Sequence, residues 1–285
     1  MNSGLDISVI MPMYNAEKYI RETLASVLDQ EPHGFSIEVV VVNDCSTDRS
    51  AEIVRSIRDE RIVLIELKNK VGPSESRNTG LRHARGEWIE FLDSDDRISN
   101  DLLSKFRQCM DRESNLYLFG LVAEYPDHTL KQEIKNIRDK RVVGHFGIVM
   151  KYFIRKEICP LFEPGYLFED MIFNMELMNA GELRMNLIRD AWYFYNRKNE
   201  ESIISNFNEN EFERTFDLCY SRLDNYDKLT RMYFLETYSA FLFDRSRPFW
   251  LSVKVATRTL MKLYPLLPAL LFNTLKSQLR NEVRK

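Results

Sequence analysis

Residues 87–96 read Glu-Trp-Ile-Glu-Phe-Leu-Asp-Ser-Asp-Asp, an apolar run that ends in a group of carboxylates. The apolar part has the pattern of a buried strand, and three acidic residues follow it within four positions: Asp93, Asp95 and Asp96. In an extended segment Asp93 and Asp95 point to the same side, because side chains alternate with a period of two. Two such carboxylates favour a hard cation, Mg²⁺ or Mn²⁺, which binds oxygen ligands and keeps positions open for substrate phosphates.

A simpler interpretation explains the same residues. Short acidic motifs are common, and Asp96 or Ser99 is suited to the N-cap of a following helix. The choice between a metal site and an acidic turn therefore depends on the rest of the chain.

In the first third of the chain, segments with the hydrophobic pattern of strands alternate with segments that have the pattern of helices. The pattern predicts strands at 7–11, 36–42, 62–67 and 88–92, and helices at 16–30, 48–58 and 74–84. This rhythm predicts an α/β fold with a doubly wound, mostly parallel central sheet flanked by helices. Ligands of such sheets bind beyond the carboxyl ends of the strands, so the loops after Met11 and Val42 are expected to converge on the acidic group.

The remainder is less regular. We predict a strand at 116–124, a surface excursion over 125–143 and a segment at 144–158 that is helical around 149–153. A helix at 168–180, a strand at 191–195 and a polar loop at 196–202 follow. From residue 208 onward the pattern is helical. The predicted domains are therefore 1–207, which would bind ligand, and a helical C-terminal extension, 208–285.

Composition narrows the class of protein. The 285 residues carry a net charge of −3, which argues against a nucleic-acid partner. The four cysteines are scattered, as expected for a reduced, cytoplasmic setting rather than a zinc site or a disulfide framework. No signal peptide is visible, and the longest uncharged apolar stretch, 263–275, is too short to span a bilayer.

The C-terminal tail is the basic part of the chain. Two trios of basic residues are spaced by four, which lines them along helix faces: Lys254, Arg258 and Lys262, then Lys276, Arg280 and Arg284. The predicted helices, about 249–264 and 269–285, either pack on the first domain, 1–207, or make a peripheral contact with an anionic membrane through 249–285.

Three further motifs suit a nucleotide. Pro12 closes the first strand and leaves Tyr14, which can stack on a base, and Asn15 in a loop. Asp44 ends the second strand, where it can accept a hydrogen bond from a base N–H. Asn15 and Asp44 are equally suited to cap the helices that follow. Arg77, near the start of a helix, can bind a phosphate or the carboxylate group, or form a surface ion pair.

In this order the motifs closely resemble the inverting glycosyltransferases of family 2, which have the GT-A fold. The resemblance covers about residues 7–205 and rests on Pro12, Tyr14 and Asn15; Asp44 with Ser46, Thr47 and Asp48; Gly72 with Arg77 and Asn78; and Asp93-Ser94-Asp95-Asp96. It implies a nucleotide-sugar donor, usually a UDP-sugar, with Tyr14 and Asp44 at the uracil and Arg77 near the base and the acidic motif. It also implies that Asp93 lies near the ribose and sugar and that Asp95 binds a metal that bridges the diphosphate.

Two later segments extend the resemblance. The stretch Phe168-Glu-Asp-Met-Ile-Phe173 is similar to the family's Glu-Asp motif, which implies that Asp170 is the catalytic base. An inverting transfer needs one carboxylate to take the acceptor's proton, although acids also favour a helix start through its dipole. The stretch from Tyr195 to Ile203 resembles the following segment more loosely and implies that Arg197 closes over the diphosphate; a solvated loop arginine is the alternative. Lys151 is a weaker match for an acceptor-side or phosphate contact.

The resemblance implies transfer of a sugar to a saccharide or lipid-linked acceptor, in bacterial surface-polysaccharide synthesis, by a cytoplasmic or peripheral membrane enzyme. A nucleotidyltransferase is one alternative, but such enzymes usually open with a glycine-rich loop, and no glycine occurs between Gly4 and Gly34. A degenerate sugar-nucleotide-binding module is the other, although every acidic position that the chemistry needs is present.

Overall fold

The computed structural model describes residues 5–31, 34–137, 140–147, 150–166, 168–198 and 209–242. The chain divides into two compact units, Met1–Thr215 and Phe216–Lys285. The boundary that we predicted between residues 207 and 208 lies outside the described residues and stays a prediction.

The first half of the sheet has the predicted alternation. Its strands are β1 (Ile7–Met13), β2 (Ile37–Asn43), β3 (Ile62–Glu66) and β4 (Trp88–Phe91), which pair in parallel in the order β3-β2-β1-β4. The helices between them are α1 (Ile20–Leu28), α2 (Ser50–Ser56) and α3 (Pro73–His83). Every residue of β1, β2 and β4 is buried, as expected of continuously apolar strands that are covered on both faces.

Helix α3 packs very closely on β1. A Cβ atom at Gly80 would lie 2.4 Å from Cγ2 of Ile10, so the helix approaches the strand at a distance that only glycine permits. This contact positions α3 along β1 and β2, and Arg77 lies one turn before the glycine.

The second half of the sheet is mixed. Its elements are β5 (Arg97–Ile98), α4 (Leu102–Cys109), β6 (Leu116–Glu124), β7 (Thr129–Gln132), β8 (Tyr152–Arg155), α5 (Glu169–Asn179) and β9 (Met185–Asn196). The sheet continues in the order β4-β8-β6-β9-β5, with β7 paired to β6. Strand β8 runs antiparallel to β4 and β6, whereas β6 and β9 are parallel. The α/β class is confirmed, and the all-parallel arrangement is confined to the first four strands.

Two local predictions were wrong. Residues 152–155 form β8 rather than helix, because β4 and β6 supply hydrogen-bonding partners on both sides. The segment 125–143, predicted as a surface excursion, contains the mostly exposed strand β7. Neither Asp96 nor Ser99 is an N-cap, because α4 begins at Leu102 with Asp101 before it.

The helical prediction after residue 208 is confirmed as far as the structure describes the chain. Helices α6 (Glu209–Arg222) and α7 (Lys228–Leu242) account for most of 209–242, and in the second unit the ring of Phe216 packs against Tyr220 and Phe234. Within the described ranges no helix has both the length and the apolar character that a bilayer crossing requires. The predicted tail helices, 249–264 and 269–285, lie outside those ranges.

Candidate active site

Two loops at the carboxyl edge of the sheet are joined through Asn15. Its side-chain oxygen accepts hydrogen bonds from the N–H (2.8 Å) and hydroxyl (3.3 Å) of Thr47, and its own N–H donates to the Ser46 hydroxyl. The backbone of Asn15 has a left-handed φ of 50°, which asparagine tolerates better than most residues. Pro12 lies inside β1, which continues to Met13. Asn15 thus ties the loop after β1 to the loop after β2, and it does not cap α1.

Asp44 holds the loop that leads into α3. Its two carboxylate oxygens accept the backbone N–H groups of Val71 (2.7 Å) and Gly72 (2.8 Å). Gly72 adopts a φ of 86°, a conformation that favours glycine. Both oxygens keep acceptor capacity, since a carboxylate oxygen can accept more than one hydrogen bond.

Tyr14 is an exposed aromatic at the same edge. Its side chain is 42% exposed, and the Lys70 ammonium lies 3.4 Å from the ring centre. Sequence reasoning missed Lys70, because nothing in the local pattern distinguishes it from other solvated lysines.

Arg77 is the centre of a buried charge cluster. It is 4% exposed, and its two terminal nitrogens donate to Asp93 (2.8 Å) and Glu169 (2.9 Å). Burial alone would lower the pKa of Arg77, but the carboxylates of Asp93, Glu169 and Asp170 raise it above its usual range. Arg77 therefore joins α3, the end of β4 and the start of α5, and it is not a surface ion pair.

Asp170 lies in the first turn of α5, beside this cluster. One of its carboxylate oxygens, Oδ1, is buried and has no hydrogen-bond partner among the described residues. Burial and the charges of Glu169 and Asp93 raise the pKa of Asp170 well above its usual range, against the opposing effect of Arg77 and Lys151. The preceding residue, Phe168, has a left-handed φ of 65°, an unfavourable conformation that clusters at functional sites.

The three aspartates after β4 have different environments. Asp96 is buried, and its carboxylate accepts hydrogen bonds from the Tyr193 hydroxyl (2.5 Å) and from the N–H of Asn196 (2.7 Å). The same hydroxyl accepts the N–H of Asp93 (3.3 Å). Burial and the nearby Asp95 and Asp93 raise the pKa of Asp96. Asp96 thus anchors the acidic turn to β9, a role that sequence reasoning missed together with Tyr193.

Arg197 follows β9 and is held by aromatic side chains. Its guanidinium donates to the Tyr195 hydroxyl (3.2 Å) and lies 5.4 Å from the Tyr195 ring centre and 5.7 Å from that of Tyr125. These contacts distinguish Arg197 from a freely solvated loop arginine. Lys151, in contrast, is fully buried just before β8.

The carboxylate oxygens that follow β4 are suitable ligands for a hard divalent cation. Asp93 and Asp95 are both partly accessible, whereas the carboxylate of Asp96 is hydrogen-bonded to Tyr193 and Asn196 of β9. Within the described residues no group of three or more His, Cys, Asp or Glu side chains forms a complete metal site. Magnesium and manganese are commonly held by one or two carboxylates plus substrate phosphates, so a site with few protein ligands is compatible with them.

A mixed sheet with an acidic turn after β4, a buried arginine and a Glu-Asp pair at a helix start defines the class of GT-A glycosyltransferases. Residues 8–170 match the family model described as Glycosyl transferase family 2. The chain belongs to this family.

Comparison with individual proteins supports the assignment. The chain is 30% identical over 266 residues to the minor teichoic acid biosynthesis protein GgaA of Bacillus subtilis, which covers 83% of this chain and 59% of that protein. It is 31% identical over 209 residues to the poly(ribitol-phosphate) beta-N-acetylglucosaminyltransferase TarS of Staphylococcus aureus, which covers 69% of this chain and 36% of TarS. A crystal structure of S. aureus TarS 1–349 in complex with UDP-GlcNAc superposes with a TM-score of 0.72 at 25% identity, covering 89% of this chain and 78% of that one.

A more distant structure shares the fold. The mannosyltransferase PcManGT from Pyrobaculum calidifontis, in complex with GDP-Man and Mn²⁺, matches with a TM-score of 0.60 at 18% identity, covering 98% of this chain and 81% of that one. The chain spans about half the length of several curated relatives that it matches, with 42%, 45% and 62% of three of them covered.

Proposed function

We propose that this protein is an inverting glycosyltransferase that moves a sugar from a nucleotide-diphospho-sugar, a UDP-sugar, to a hydroxyl of a saccharide or lipid-linked acceptor. The observation that carries the proposal is the buried cluster in which Arg77 joins Asp93 and Glu169, with Asp170 beside it at the start of α5. Family membership and the complex of TarS with UDP-GlcNAc support a UDP-sugar donor. The similarity to GgaA, a minor teichoic acid biosynthesis protein, and to TarS, a poly(ribitol-phosphate) beta-N-acetylglucosaminyltransferase, supports a role in surface-polysaccharide synthesis.

The donor would bind at the carboxyl edge of β1, β2 and β4. We propose that Tyr14 and Asp44 contact the nucleobase of the donor, with Pro12 and Asn15 shaping the loop. Asp93, which is ion-paired with Arg77, would contact the ribose and the sugar. Arg197 would contact the diphosphate. The exposed ring of Tyr14 and the spare acceptor capacity of Asp44 are compatible with these roles.

The reaction requires one proton acceptor. The acceptor oxygen attacks the anomeric carbon from the face opposite the diphosphate, the bond from that carbon to the diphosphate breaks, and its electron pair leaves with the diphosphate. The hydroxyl proton passes to Asp170 as general base. Burial raises the pKa of the Asp170 carboxyl group, which makes it a better proton acceptor than an ordinary aspartate.

A bound Mg²⁺ or Mn²⁺ would neutralise the negative charge of the leaving diphosphate. We propose Asp95 as its protein ligand, because the resemblance to family 2 implies a metal ligand at this position and the Asp95 carboxylate is partly accessible.

The first test concerns Asp170 as the general base. Asp170→Asn is expected to lower turnover by about 100-fold or more while UDP affinity stays near that of the wild type, because the amide keeps the shape but accepts no proton. Sugar transfer is followed by UDP release, and binding by calorimetry. Glu182→Gln, an exposed carboxylate beyond α5, is the matched control and should behave as wild type. Near-normal turnover of the Asp170 variant would remove that residue from the mechanism.

The second test concerns the metal. UDP should bind more tightly with Mn²⁺ or Mg²⁺ than with a chelator, and Asp95→Ala should abolish the difference. Asp101→Ala, a nearby exposed carboxylate that pairs with Lys105, should preserve it. Wild-type UDP affinity that is indifferent to the chelator would contradict the assignment of Asp95.

Two other functions predict different results. A nucleotidyltransferase would release pyrophosphate from a nucleoside triphosphate, and a degenerate binding module would bind UDP-sugar without ever releasing UDP. We further propose a cytoplasmic location with peripheral contact to the inner face of the membrane through 249–285. The basic and apolar residues of that segment support the contact.

A further inference from the structure

Asn78 lies on α3 directly after Arg77, and the proposed reaction gives it no role. Its side chain is 3% exposed and pairs with the backbone of Phe162, which precedes α5. The amide nitrogen of Asn78 donates to the carbonyl of Phe162 (2.9 Å), and the amide oxygen accepts the N–H of the same residue (2.8 Å). Buried backbone groups need hydrogen-bond partners, so this pair of bonds holds Phe162 to α3.

Phe162 is in turn packed against the elements that form the site. Its ring is 2% exposed and stacks on Phe173 of α5, with the ring centres 4.3 Å apart. The same ring meets Phe91 of β4 edge to face, with the centres 5.1 Å apart. The guanidinium carbon of Arg77 lies 5.1 Å from the centre of the Phe162 ring. Phe162 thus connects the strand that leads to the acidic turn with the helix that carries the proposed base.

Consecutive residues of α3 hold both ends of the segment that leads to Asp170. Asn78 holds Phe162 at one end, and Arg77 donates to the carboxylate of Glu169 (2.9 Å) at the other. A general base must lie within hydrogen-bonding distance of the hydroxyl whose proton it takes. The start of α5 therefore has to be held at a defined position relative to α3.

We infer that Asn78 is a positioning residue for Asp170, because its two hydrogen bonds to Phe162 hold the start of α5 in place. The inference rests on the proposed function, since Asp170 is the base only in that reaction. Asn78 contacts neither the substrates nor the reacting atoms in this role. Its effect on turnover should pass through Asp170, whereas an ordinary folding contact would affect stability alone.

The chain contains a matched control for this side chain. Asn115, directly before β6, is also buried, with 4% of its area exposed. Its amide makes an equivalent pair of bonds, donating to the carbonyl of Glu182 (3.0 Å) and accepting the N–H of Arg184 (2.8 Å). Those two residues follow α5, whereas Phe162 precedes it. Asn115→Ala thus removes the same kind of contact from the other end of the helix.

The first experiment needs no activity. Backbone amide hydrogen exchange is measured for the wild type, Asn78→Ala and Asn115→Ala. The N–H of Phe162 should exchange faster in Asn78→Ala and keep its wild-type rate in Asn115→Ala, and the N–H of Arg184 should show the reverse. Unchanged exchange at Phe162 in Asn78→Ala would show that the side chain does not hold this segment, and it overturns the inference.

Kinetics then separate positioning from folding. In Asn78→Ala the rate of sugar transfer at saturating donor and acceptor should fall by about 10-fold or more, because a small displacement of a reacting group is costly. UDP affinity should stay near that of the wild type. Asn115→Ala should lose a similar amount of stability in urea and keep the wild-type transfer rate. Equal transfer rates in the two variants would make Asn78 a folding contact only and overturn the inference.

A double-mutant cycle tests whether the effect passes through Asp170. If Asn78 positions that carboxylate, Asn78→Ala should lower the residual rate of Asp170→Asn much less than it lowers the wild-type rate. Additive losses would assign Asn78 to another step and contradict the inference. Asn78→Asp keeps the shape and the bond from the Phe162 N–H but loses the donated bond, and it replaces Asn78→Ala if the alanine variant does not fold.

Failure of the inference and failure of the proposed function give different results. A wild-type protein that transfers no sugar overturns the proposed function, and the role of Asn78 toward a base falls with it. An active wild type in which Asn78→Ala speeds exchange at Phe162 but leaves the transfer rate unchanged overturns the inference alone.

Discussion

Two buried glutamates in neighbouring parts of the sheet have opposite environments. Glu38 on β2 accepts hydrogen bonds from the Ser8 hydroxyl (2.6 Å) and from the backbone and guanidinium of Arg85 (2.6–2.9 Å). Burial raises its pKa, but these partners outweigh burial and the pKa is lowered. Glu90 on β4 is fully buried, and neither of its carboxyl oxygens has a partner in the described part of the chain. Burial therefore raises the pKa of Glu90 well above its usual value.

The raised pKa makes Glu90 a source of pH-dependent instability. The folded protein keeps the proton, whereas the unfolded chain releases it above the ordinary value of 4.5, so the free energy of unfolding falls as pH rises past that value. Glu90→Gln removes this penalty and should be more stable than wild type at pH 8, with little difference at pH 4. Urea unfolding at several pH values measures the gap.

Glu38→Gln is the matched control, for which we expect the opposite change in stability relative to wild type. The contribution of Glu38 is present above its unfolded pKa and is lost as pH falls through the lowered folded pKa. The variant should therefore be less stable than wild type at neutral pH, with a gap that narrows in acid. A Glu90→Gln protein that is less stable than wild type at pH 8 would show that the carboxyl group has a compensating partner.

At the scale of elements, β9 determines where the acidic turn lies. The Tyr193 hydroxyl connects the N–H of Asp93 to the carboxylate of Asp96, and Asn196 holds the other oxygen of Asp96. Strand β9 also leads directly to Arg197. One strand thus fixes both the turn that carries Asp95 and the arginine proposed for the diphosphate.

Tyr193→Phe should disturb both features. We expect a loss of roughly 1–3 kcal/mol in the free energy of unfolding, because a buried carboxyl group loses its hydroxyl partner. We also expect weaker UDP binding, because the acidic turn is no longer held to β9. Denaturant unfolding and calorimetry provide the two measurements.

Tyr117→Phe is the control for this change. Tyr117 is an equally buried tyrosine on β6 whose hydroxyl accepts the N–H of Asp111, in a part of the fold without proposed donor contacts. Its loss should lower stability modestly and leave UDP affinity unchanged. Equal UDP affinity in both variants would separate Tyr193 from donor binding.

At the scale of the whole molecule, the basic C-terminal tail, residues 249–285, is proposed to bind the protein to an anionic membrane. Each basic residue near an anionic surface contributes about 1 kcal/mol to binding. Full-length protein should therefore co-sediment with vesicles that contain anionic lipid at low salt and dissociate at high salt. A variant with Lys254, Arg258 and Lys262 changed to glutamine should sediment less.

The control variant also loses three positive charges, but from a different part of the chain. Changing the exposed Arg49, Arg55 and Arg82 of the catalytic unit to glutamine should leave sedimentation unchanged. Full-length protein that stays in the supernatant at low salt would show that the tail makes no such contact.

The sequence by itself determined the elements whose signal is local. Strands β1 to β4 were predicted within two residues at each end, because continuous apolar runs and the polar loops after them are encoded within about ten residues. The order of the polar motifs likewise indicated the family, which the match over residues 8–170 confirmed. The roles of the individual site residues stay predictions.

Only the tertiary structure decided what depends on distant partners. Residues 152–155 became a strand because β4 and β6 lie on either side of them, and neither partner is adjacent in sequence. Arg77 became a buried centre of charge because Glu169, 92 positions away, meets it from α5. Asp96 became a buried anchor because β9 brings Tyr193 and Asn196 to it. Burial and charge pairing are sums over the neighbours that folding brings together, and a local sequence pattern does not contain those neighbours.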